Sequence, residues 1–365
     1  MQLSDIDYDL PKEAIAQSAL EPRDSSRLLV CNPDGSFVDS RVRDLPKFLA
    51  KGDLLVGNRT RVMNARVLAR RETGAKCELL FLHPCDPACP GDWWVALARP
   101  SRRIGPGELL TVKIPGQEGK TDGVAIEVGK AAGMGRRFAR GVGVHTDQVL
   151  RDHGQVPLPL YFSGRLDSPD RYQTVFADAV GSAAAPTAGL HFTGRLIDAL
   201  ARSGVGFTSV SLDIGVDTFR PVTEANPLEH PMHEEAYSID DQAAEQVRLA
   251  KSSGNAVVAV GTTSARAIEA AAVRNDEGRP TGELTPGSAR TSILIAPGHK
   301  FLIDGLLTNF HAPRSTLLML LAGIYPDWRR AYDRALDRGY RFLSFGDAML
   351  IRPADSATEG TVAAI

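Results

Sequence analysis

Apolar residues recur along the chain with two different periods, and the change of period divides it. Between Gly52 and about Gly143, turns rich in glycine and proline separate short alternating runs, which predict strands of an antiparallel β-barrel or sandwich. These runs are DLLVGN, CELLFLH, DWWVALA, ELLTVKI and GVAIEVG. From Gln155 onward, buried strands alternate with amphipathic helices, which indicates an α/β domain with a mainly parallel sheet.

The second region contains its elements in alternating order. Its predicted strands are SGVGFTSVSLDIG and GNAVVAVGTT, and its predicted helices are TGRLIDALARSG, DDQAAEQVRLAKSSG, TSARAIEAAAVRN and the apolar LLMLLAGIY, which is too short to span a bilayer. The N-terminal DLPKEAIAQSAL…SSRLLVCN also indicates a helix followed by a strand. The predicted fold is therefore a barrel-like α/β domain (1–55 plus 150–352) with an inserted antiparallel β-barrel domain (56–149) and a flexible tail (353–365).

Composition narrows the class of protein. The chain has 365 residues, of which 43% are apolar and 24% charged, enough for a real core and too few charges for wholesale disorder. Its formal net charge of -2 means that any contact with RNA must come from a local basic patch. Four cysteines make no disulfide framework, and the N-terminus lacks a signal-peptide pattern, so we expect a reduced, cytoplasmic protein.

Three junctions between a strand and a helix carry polar side chains, and ligands of α/β folds collect at such junctions. In the first, AAAPTAGLHFTGRL, Thr193 is placed to cap the following helix and His191 precedes it. A histidine that faces a ligand and one that only packs in a capping loop explain this spacing equally well.

The second junction, VVAVGTTSARAIEA, turns at Gly261 and starts a helix with Thr262 and Thr263. Hydroxyl and backbone N–H groups at a helix start bind carboxylates or phosphates, and a methionine carboxylate would suit them. Ordinary helix capping accounts for the same residues, and the spacing of a P-loop is absent.

The third junction, LLTNFHAPRSTLLML, places Asn309, His311 and Arg314 between an apolar strand and an apolar helix. Pro313 suits the first turn of that helix. Polar side chains in such a turn are more often functional than structural.

Two segments suggest a metal site, and neither has a zinc spacing. In EHPMHEEAY, His230 and His233 are three residues apart, but H-x-x-H-x-E is not the HExxH pattern and no third ligand is obvious. We therefore favour acid–base or substrate contacts there. Cys85 and Cys89 lack a second CxxC pair, which favours loop thiols over zinc ligands.

Arginines cluster in the region of predicted barrel strands, and arginine is the residue best suited to bidentate phosphate contacts. Solvated arginines on a β domain would give the same pattern. The clusters are Arg59, Arg61, Arg66, Arg70 and Arg71, then Arg99, Arg102 and Arg103, then Arg136, Arg137 and Arg140.

Taken together, these blocks resemble the S-adenosylmethionine:tRNA ribosyltransferase-isomerase family of queuosine biosynthesis. The resemblance covers nearly the whole chain and is most specific in AAAPTAGLHFT, EHPMHEEAY, VAVGTTSAR, LLTNFHAPRSTLLML and YRFLSFGDAML. It implies an α/β domain that carries a separate β-barrel domain, in agreement with the fold predicted from the apolar pattern. It also implies S-adenosylmethionine as co-substrate, no metal, no membrane and a monomer.

The resemblance implies a tRNA substrate whose wobble base, in the anticodon loop, carries 7-aminomethyl-7-deazaguanine. The family moves the ribosyl part of S-adenosylmethionine to the aminomethyl nitrogen and isomerises it to the epoxycyclopentanediol of epoxyqueuosine, and adenine and methionine leave. Such a reaction requires a base for the proton at C5′ beside the sulfonium, and a proton or hydrogen bond for the departing adenine.

Roles follow from matching the motifs to these requirements. His191 and His233 are the leading base and acid candidates, in either order, and Asp213 is a further catalytic candidate. The expected cofactor contacts are Thr187, Gly189, Thr262, Thr263, Arg266, Asn309 and His311. The expected contacts with the substrate or RNA are Arg59, Arg61, Arg66, Arg171, His230 and Glu235.

The chain departs from the family pattern in three blocks. GNRTRV replaces FN[DN]TRV at Gly57 and Arg59, DIGVDTF replaces HVGxGTF at Asp213 and Asp217, and His299 replaces a tyrosine. A second hypothesis is therefore a paralogue that uses S-adenosylmethionine with a different, small-molecule acceptor or in an altered reaction. A third, a non-catalytic RNA-binding descendant, is disfavoured because such a protein has no physical need for the intact polar blocks.

Overall fold

The computed structural model describes residues 1–85, 91–113, 123–133, 135–159, 161–163, 166, 168–215 and 221–352. Cys89, Asp217 and the predicted tail at 353–365 lie outside these residues. The described chain forms two compact units. The α/β unit takes the described residues of Met1–Thr60, Leu160–Ala179 and Pro186–Ile365, and the barrel unit those of Arg61–Pro159 and Val180–Ala185.

The strands and helices are numbered in chain order. The strands are β1 (Arg27–Cys31), β2 (Phe37–Arg41), β3 (Leu54–Asn58), β4 (Thr60–Val62), β5 (Arg66–Arg70), β6 (Lys76–Pro84), β7 (Trp94–Arg99), β8 (Leu109–Val112), β9 (Ala125–Ala131), β10 (Arg136–Val142), β11 (Ala179–Ser182), β12 (Gly206–Leu212), β13 (Glu235–Ile239), β14 (Val257–Val260), β15 (Ala272–Arg274), β16 (Pro280–Leu284), β17 (Gly287–Thr291), β18 (Gly305–Asn309) and β19 (Ala348–Ile351). The helices are α1 (Thr146–His153), α2 (Gly194–Arg202), α3 (Asp241–Ser252), α4 (Thr262–Ala271), α5 (Thr316–Ile324) and α6 (Trp328–Asp337). Short 3-10 helices include Lys12–Ala14 and Thr187–His191.

A nine-stranded sheet in the order β17-β13-β12-β3-β14-β18-β19-β1-β2 forms the centre of the α/β unit. The run β12-β3-β14-β18 is parallel, with Val257 opposite Leu54 and Val258 opposite Gly305. The pairs β13·β12, β18·β19 and β1·β2 are antiparallel. The four parallel strands therefore all end at one edge of the sheet.

The central strands have the composition that burial on both faces requires. Every residue of β3, β14 and β18 is buried, as expected for parallel strands covered on both sides. On one face, α2 packs Leu196 and Leu200 into a core with Leu55, Val258 and Leu307. The apolar side chains of these strands therefore pack against elements on both faces of the sheet.

Helix starts in the α/β unit are set by short polar side chains. Thr193 caps α2 by accepting the Leu196 N–H at 3.1 Å, as the sequence predicts. The prediction that Pro313 lies in the first turn of α5 is wrong. Ser315 caps α5 by accepting the Leu318 N–H at 3.2 Å, and Pro313 lies in the turn before it.

Six antiparallel strands in the order β10-β7-β6-β5-β8-β9 close the barrel unit. Burial alternates along β5 and β9, so that every second side chain enters the barrel core. Helix α1 adds Val149 and Leu150 to the same core, beside Phe81 and Trp94. The barrel core thus includes a helix at the end of the strand series.

The predicted α/β class with an antiparallel barrel is confirmed, and four details differ. DLLVGN forms β3 of the large sheet, because its continuous apolar run suits a strand buried on both faces. The large sheet is mixed, and within the described residues it is open, with edges at β17 and β2. The boundaries drawn at 56 and 149 cut through β3 and α1. DLPKEAIAQ forms only the 3-10 turn Lys12–Ala14.

LLMLLAGIY forms the buried helix α5, as predicted. Among the described residues, no helix combines the length and apolarity needed to cross a membrane.

Replacing Leu150 by Ala tests whether α1 belongs to the barrel core. We expect the free energy of unfolding of the barrel unit to fall by about 2–5 kcal/mol, because the buried side chain leaves a cavity. Urea unfolding followed by tryptophan fluorescence in a Trp328→Phe background measures it through Trp93 and Trp94, the two remaining tryptophans, which both lie in the barrel unit. The neighbouring exposed Arg151→Ala variant should change stability by no more than about 0.5 kcal/mol. Equal stability of the two variants would contradict this assignment.

Candidate active site

Polar side chains of the α/β unit gather where the four parallel strands end. Asp213 follows β12, Gly261 follows β14, and Asn309 closes β18. The buried Asn58 ties two of these ends together: its amide donates to Leu212 O at 3.0 Å, and its oxygen accepts the Leu212 N–H at 3.2 Å. The Gly261 N–H donates to Leu307 O at 2.7 Å and joins the other two. Open parallel sheets bind ligands at this edge.

His191 and Asn309 meet in the interior at this edge. His191 ends the 3-10 helix Thr187–His191, and its Nε2 lies 3.1 Å from Asn309 Nδ2. That amide nitrogen also lies 3.2 Å from Leu343 O and 3.4 Å from Asp347 O. Since both carbonyls require a donor, the amide orientation is fixed, and His191 Nε2 accepts.

The electrostatic state of His191 follows from this contact and from burial. Desolvation and, to a lesser degree, the Arg341 charge lower the pKa of His191 to about 4. The imidazole is therefore neutral at pH 7, with its proton on Nδ1. No hydrogen-bond partner for Nδ1 occurs among the described residues, and His191 lines a pocket of about 20 Å³ together with Arg23, Arg171 and Ser344.

Asn309 keeps one unused polar atom. Its Oδ1 is buried and accepts no hydrogen bond from the described residues. An unsatisfied buried acceptor costs about 1–3 kcal/mol, so this atom is suited to a donor brought by a ligand. His191 Nδ1–H and Asn309 Oδ1 together present a donor and an acceptor.

His311, two residues after Asn309, is held from three sides. Its Nε2 lies 3.0 Å from Thr308 Oγ1, its N–H donates to Tyr332 OH at 2.8 Å, and its carbonyl accepts from Tyr8 OH at 2.5 Å. Burial lowers the pKa of His311 to about 3. These contacts stabilise the turn after β18.

Helix α4 starts without a side-chain cap. Its N-cap is Gly261, whose φ of 90° favours glycine and whose Cβ would come within 3.3 Å of Ala188. Thr262 and Thr263 follow, both buried, and Thr263 Oγ1 has no partner among the described residues. The capping explanation for these hydroxyls is therefore wrong, and the positive end of the helix dipole lies at the strand ends.

A buried ion pair joins α4 to β13. Arg266 Nη1 donates to Glu235 Oε2, and both side chains are at most 6% exposed. Glu235 Oε1 accepts the Gly215 N–H at 3.0 Å. Burial and the nearby Glu235 charge raise the pKa of Asp213, and Arg290 lowers it in part. Asp213, Glu235 and Arg266 thus form one charged cluster at the end of β12.

Two more of the predicted site residues, Gly189 and His230, have close contacts within the α/β unit. A Cβ on Gly189 would lie 2.8 Å from both Thr174 and Phe176, so this position requires a close approach of the backbone. His230 Nδ1 lies 2.7 Å from Glu224 Oε2, and this bond is the main cause that lowers the pKa of Glu224 to about 2. His233 is half-buried, two residues before Glu235.

The arginines singled out by the sequence have different contacts. Arg59 forms ion pairs with Asp240 at 3.1 Å and Asp178 at 3.7 Å. Arg171 pairs with Glu21 and donates to Leu20 O at 2.8 Å. In the barrel unit, Arg66 pairs with Glu78 at 2.8 Å, and Arg61 is exposed. Of these four predicted RNA contacts, Arg61 is the one with an exposed side chain.

Two of the departures from the family pattern lie in structural contacts. His299 Nε2 is 3.0 Å from Glu269 Oε2, and Glu269 accepts the Leu302 N–H at 2.8 Å. This cluster lies toward the C-terminal end of α4, away from its start. A Cβ on Gly57 would approach Phe207 to 2.9 Å and Phe176 to 3.0 Å, so two neighbouring phenylalanines fill that space.

No motif in the sequence indicates Thr174, Tyr8 or Tyr332 as site residues. Thr174 Oγ1 is buried without a partner among the described residues, next to Gly189. Both tyrosines hold the His311 backbone. These residues are identified by contacts with residues far away in the sequence, and the apolar periodicity of one chain does not reveal such contacts. No group of three or more His, Cys, Asp or Glu suited to a metal occurs within the described residues.

Comparison with known proteins decides the family. A family model described as queuosine biosynthesis protein matches residues 3–351. The chain belongs to the queuosine biosynthesis protein family. The family predicted from the sequence blocks is thereby confirmed.

Members of the queuosine biosynthesis family match over their full length. The S-adenosylmethionine:tRNA ribosyltransferase-isomerase of Symbiobacterium thermophilum is 45% identical over 96% of this chain and 100% of its own. That of Thermus thermophilus is 44% identical over 94% and 98%. A crystal structure of S-adenosylmethionine tRNA ribosyltransferase from Thermotoga maritima has 31% identity, covers 95% of this chain and 99% of that one, and gives a TM-score of 0.51.

Burial of His191 predicts a measurable dependence of stability on pH. The folded-state pKa of about 4 lies below the ordinary 6.5, so the unfolded chain binds the proton more readily and stability falls as pH falls. We expect His191→Gln, which keeps an acceptor for Asn309, to reduce the loss of stability between pH 7 and pH 5 by about 2 kcal/mol. Urea unfolding at both pH values measures it. The exposed His83→Gln variant should keep the wild-type slope, and the same slope in His191→Gln would contradict the burial argument.

Proposed function

We propose that this chain transfers the ribosyl part of S-adenosylmethionine to the aminomethyl nitrogen of 7-aminomethyl-7-deazaguanine at the wobble position of tRNA, and isomerises it. The products are epoxyqueuosine-tRNA, adenine and methionine. Near full-length identity of 41–45% with proteins named S-adenosylmethionine:tRNA ribosyltransferase-isomerase supports this reaction. The observation that carries it in the structure is the unused donor and acceptor of His191 and Asn309 at the strand ends.

Adenine complements this donor–acceptor pair. Its N7 accepts a hydrogen bond and its neighbouring amino group donates one, the same two atoms that an amide side chain recognises in a nucleic acid. His191 Nδ1–H would donate to the ring nitrogen, and Asn309 Oδ1 would accept from the amino group. A hydrogen bond to the ring nitrogen stabilises the negative charge that develops as adenine leaves.

The neutral state of His191 limits its role. Protonation of Nε2 would direct a second N–H at the Asn309 amide, so His191 serves as a hydrogen-bond donor and not as the base that removes the C5′ proton. This differs from the equal weight that the sequence gives to acid and base roles. His233 stays a candidate for the acid or the base.

Asp213 is the stronger candidate for the base. Its carboxylate is half-buried, and its raised pKa makes the ionised form more basic than an exposed aspartate. It would take the proton from C5′, whose electron pair is stabilised by the adjacent sulfonium. Asp213 stands where the family has a histidine, and both side chains can accept a proton.

Recognition of tRNA phosphates is assigned to the exposed arginine of the barrel unit. Arg61 is the candidate for a phosphate contact, since it is the exposed residue among the four predicted arginines. We place the target base, in the anticodon loop, near the pocket lined by His191.

Turnover of a defined RNA tests the reaction. Purified protein, S-adenosylmethionine and an anticodon stem-loop with 7-aminomethyl-7-deazaguanine should give adenine release and an RNA mass gain in equal amounts. A stem-loop with guanine at the wobble position is the control and should give neither. Adenine release without RNA modification would contradict the acceptor and favour the paralogue with a small-molecule acceptor.

Replacing Asp213 by Asn tests the base. We expect kcat to fall by about 10²–10⁴-fold while S-adenosylmethionine still binds, because the amide keeps the shape and cannot take a proton. Single-turnover adenine release and titration calorimetry measure the two quantities. The exposed Asp198→Asn variant should keep the wild-type kcat. Full turnover of Asp213→Asn would exclude this role and leave His233 as the next candidate.

A further inference from the structure

The guanidinium of Arg266 uses one of its two sides. Nη1 pairs with Glu235, whereas Nε and Nη2 are buried and have no hydrogen-bond partner among the described residues. In a guanidinium group, Nε–H and Nη2–H point the same way and form a two-pronged fork that matches a carboxylate. A complete fork is therefore left unused.

Burial makes this unused fork costly. Arg266 is 4% exposed, so water from the bulk reaches its nitrogens poorly. Unsatisfied donors of a buried charged group lose more free energy than neutral ones. Glu235 balances the charge from the other side and is itself held by the Gly215 N–H. The ion pair thus keeps the fork in place without occupying it.

A second unpartnered group lies on the same helix. Thr263 precedes Arg266 by three residues, which places both side chains on one face of α4. Thr263 Oγ1 is buried and has no partner among the described residues. The start of α4 carries no side-chain cap, so the helix dipole adds positive potential there. Three features of α4 therefore favour an anion at one place.

We propose that the Arg266 fork and the Thr263 hydroxyl bind the α-carboxylate of the methionyl group of S-adenosylmethionine. This inference rests on the proposed function, since it takes S-adenosylmethionine as the ligand. Arg266 is then a residue that binds the co-substrate and determines specificity for its amino-acid end.

The charges of the cluster distinguish a carboxylate from a phosphate. Glu235 neutralises Arg266, and Asp213 interacts electrostatically with Glu235, so a dianion would meet two nearby carboxylates. An α-amino acid carries one negative and one positive charge and suits such surroundings. The phosphates of an RNA chain are fixed to a polymer, and both Arg266 and Thr263 are more than nine-tenths buried.

The distance across the parallel strands fits the length of S-adenosylmethionine. The charged cluster lies at the end of β12, and His191 with Asn309 lies at the end of β18, three strand positions away. Three spacings of about 4.8 Å give about 14 Å, close to the span of an extended S-adenosylmethionine. With the carboxylate on Arg266, the adenine would reach the donor–acceptor pair, and the sulfonium would lie between.

Binding of S-adenosylmethionine and of its decarboxylated form to the full chain, without RNA, tests the inference by titration calorimetry. Wild type should bind S-adenosylmethionine at least about 30-fold more tightly than its decarboxylated form, because decarboxylation removes the partner of two charge-assisted hydrogen bonds. Arg266→Lys keeps a positive charge beside Glu235 but loses the fork, so it should abolish most of this preference and leave the decarboxylated form nearly unaffected. Thr263→Val should reduce the preference about 5-fold.

Arg274→Lys is the matched control, since Arg274 pairs with Glu269 at 2.8 Å, beyond the C-terminal end of α4. It should keep the wild-type preference. An unchanged preference in Arg266→Lys overturns the inference, and so does equal binding of both compounds by wild type, which leaves the proposed function standing. Binding of neither compound by wild type overturns the proposed function as well. If Arg266→Lys does not fold by circular dichroism, the wild-type preference and Thr263→Val decide.

Discussion

The parallel pairing of β12, β3, β14 and β18 determines where chemistry can occur in this chain. Parallel strands bring their carboxyl ends to one edge, so Asp213, Gly261 and Asn309, far apart in sequence, lie along the same edge of the sheet. Burial on both faces holds β3, β14 and β18 in the core, and Asn58 joins the end of β12 to the end of β3 through its hydrogen bonds with Leu212. This arrangement determines the position of each functional side chain.

Burial acts on these side chains in two ways. It removes the charge of His191 and His311, whose pKa values fall to about 4 and 3, so both rings serve as neutral hydrogen-bonding groups. It also leaves Nε and Nη2 of Arg266 without a partner among the described residues, while Glu235 lies against the other side of the guanidinium. In a medium of low dielectric constant, the remaining unpaired donors and acceptors are held in place before any ligand arrives, which is the basis of electrostatic preorganisation.

The apolar pattern predicted most of the strands and helices, but fewer of the pairings between strands. It located β12, β14, α2 and α5 because each is a local run of one period. It placed DLLVGN in the barrel because a short apolar run before glycine looks the same in either fold, and only pairing with β12 and β14 decides. The polar blocks indicated His191, Asn309 and Arg266, but not which nitrogen of His191 is protonated or which edge of Arg266 is unused. Those properties depend on Asn309 and Glu235, which are 118 and 31 residues away along the chain.

The departures from the family pattern do not bear equally on function. Phe176 and Phe207 fill the space beside Gly57, Arg59 pairs with Asp178 and Asp240, and His299 contacts Glu269. Each of these changes is compensated by a neighbouring side chain. Asp213 differs, because it lies beside the Glu235–Arg266 pair and adds a carboxylate where burial already raises its pKa. The charge that Arg59 adds after β3 is paired with Asp178 and Asp240. Of the described departures, Asp213 is therefore the one through which a difference in reaction or acceptor would have to act.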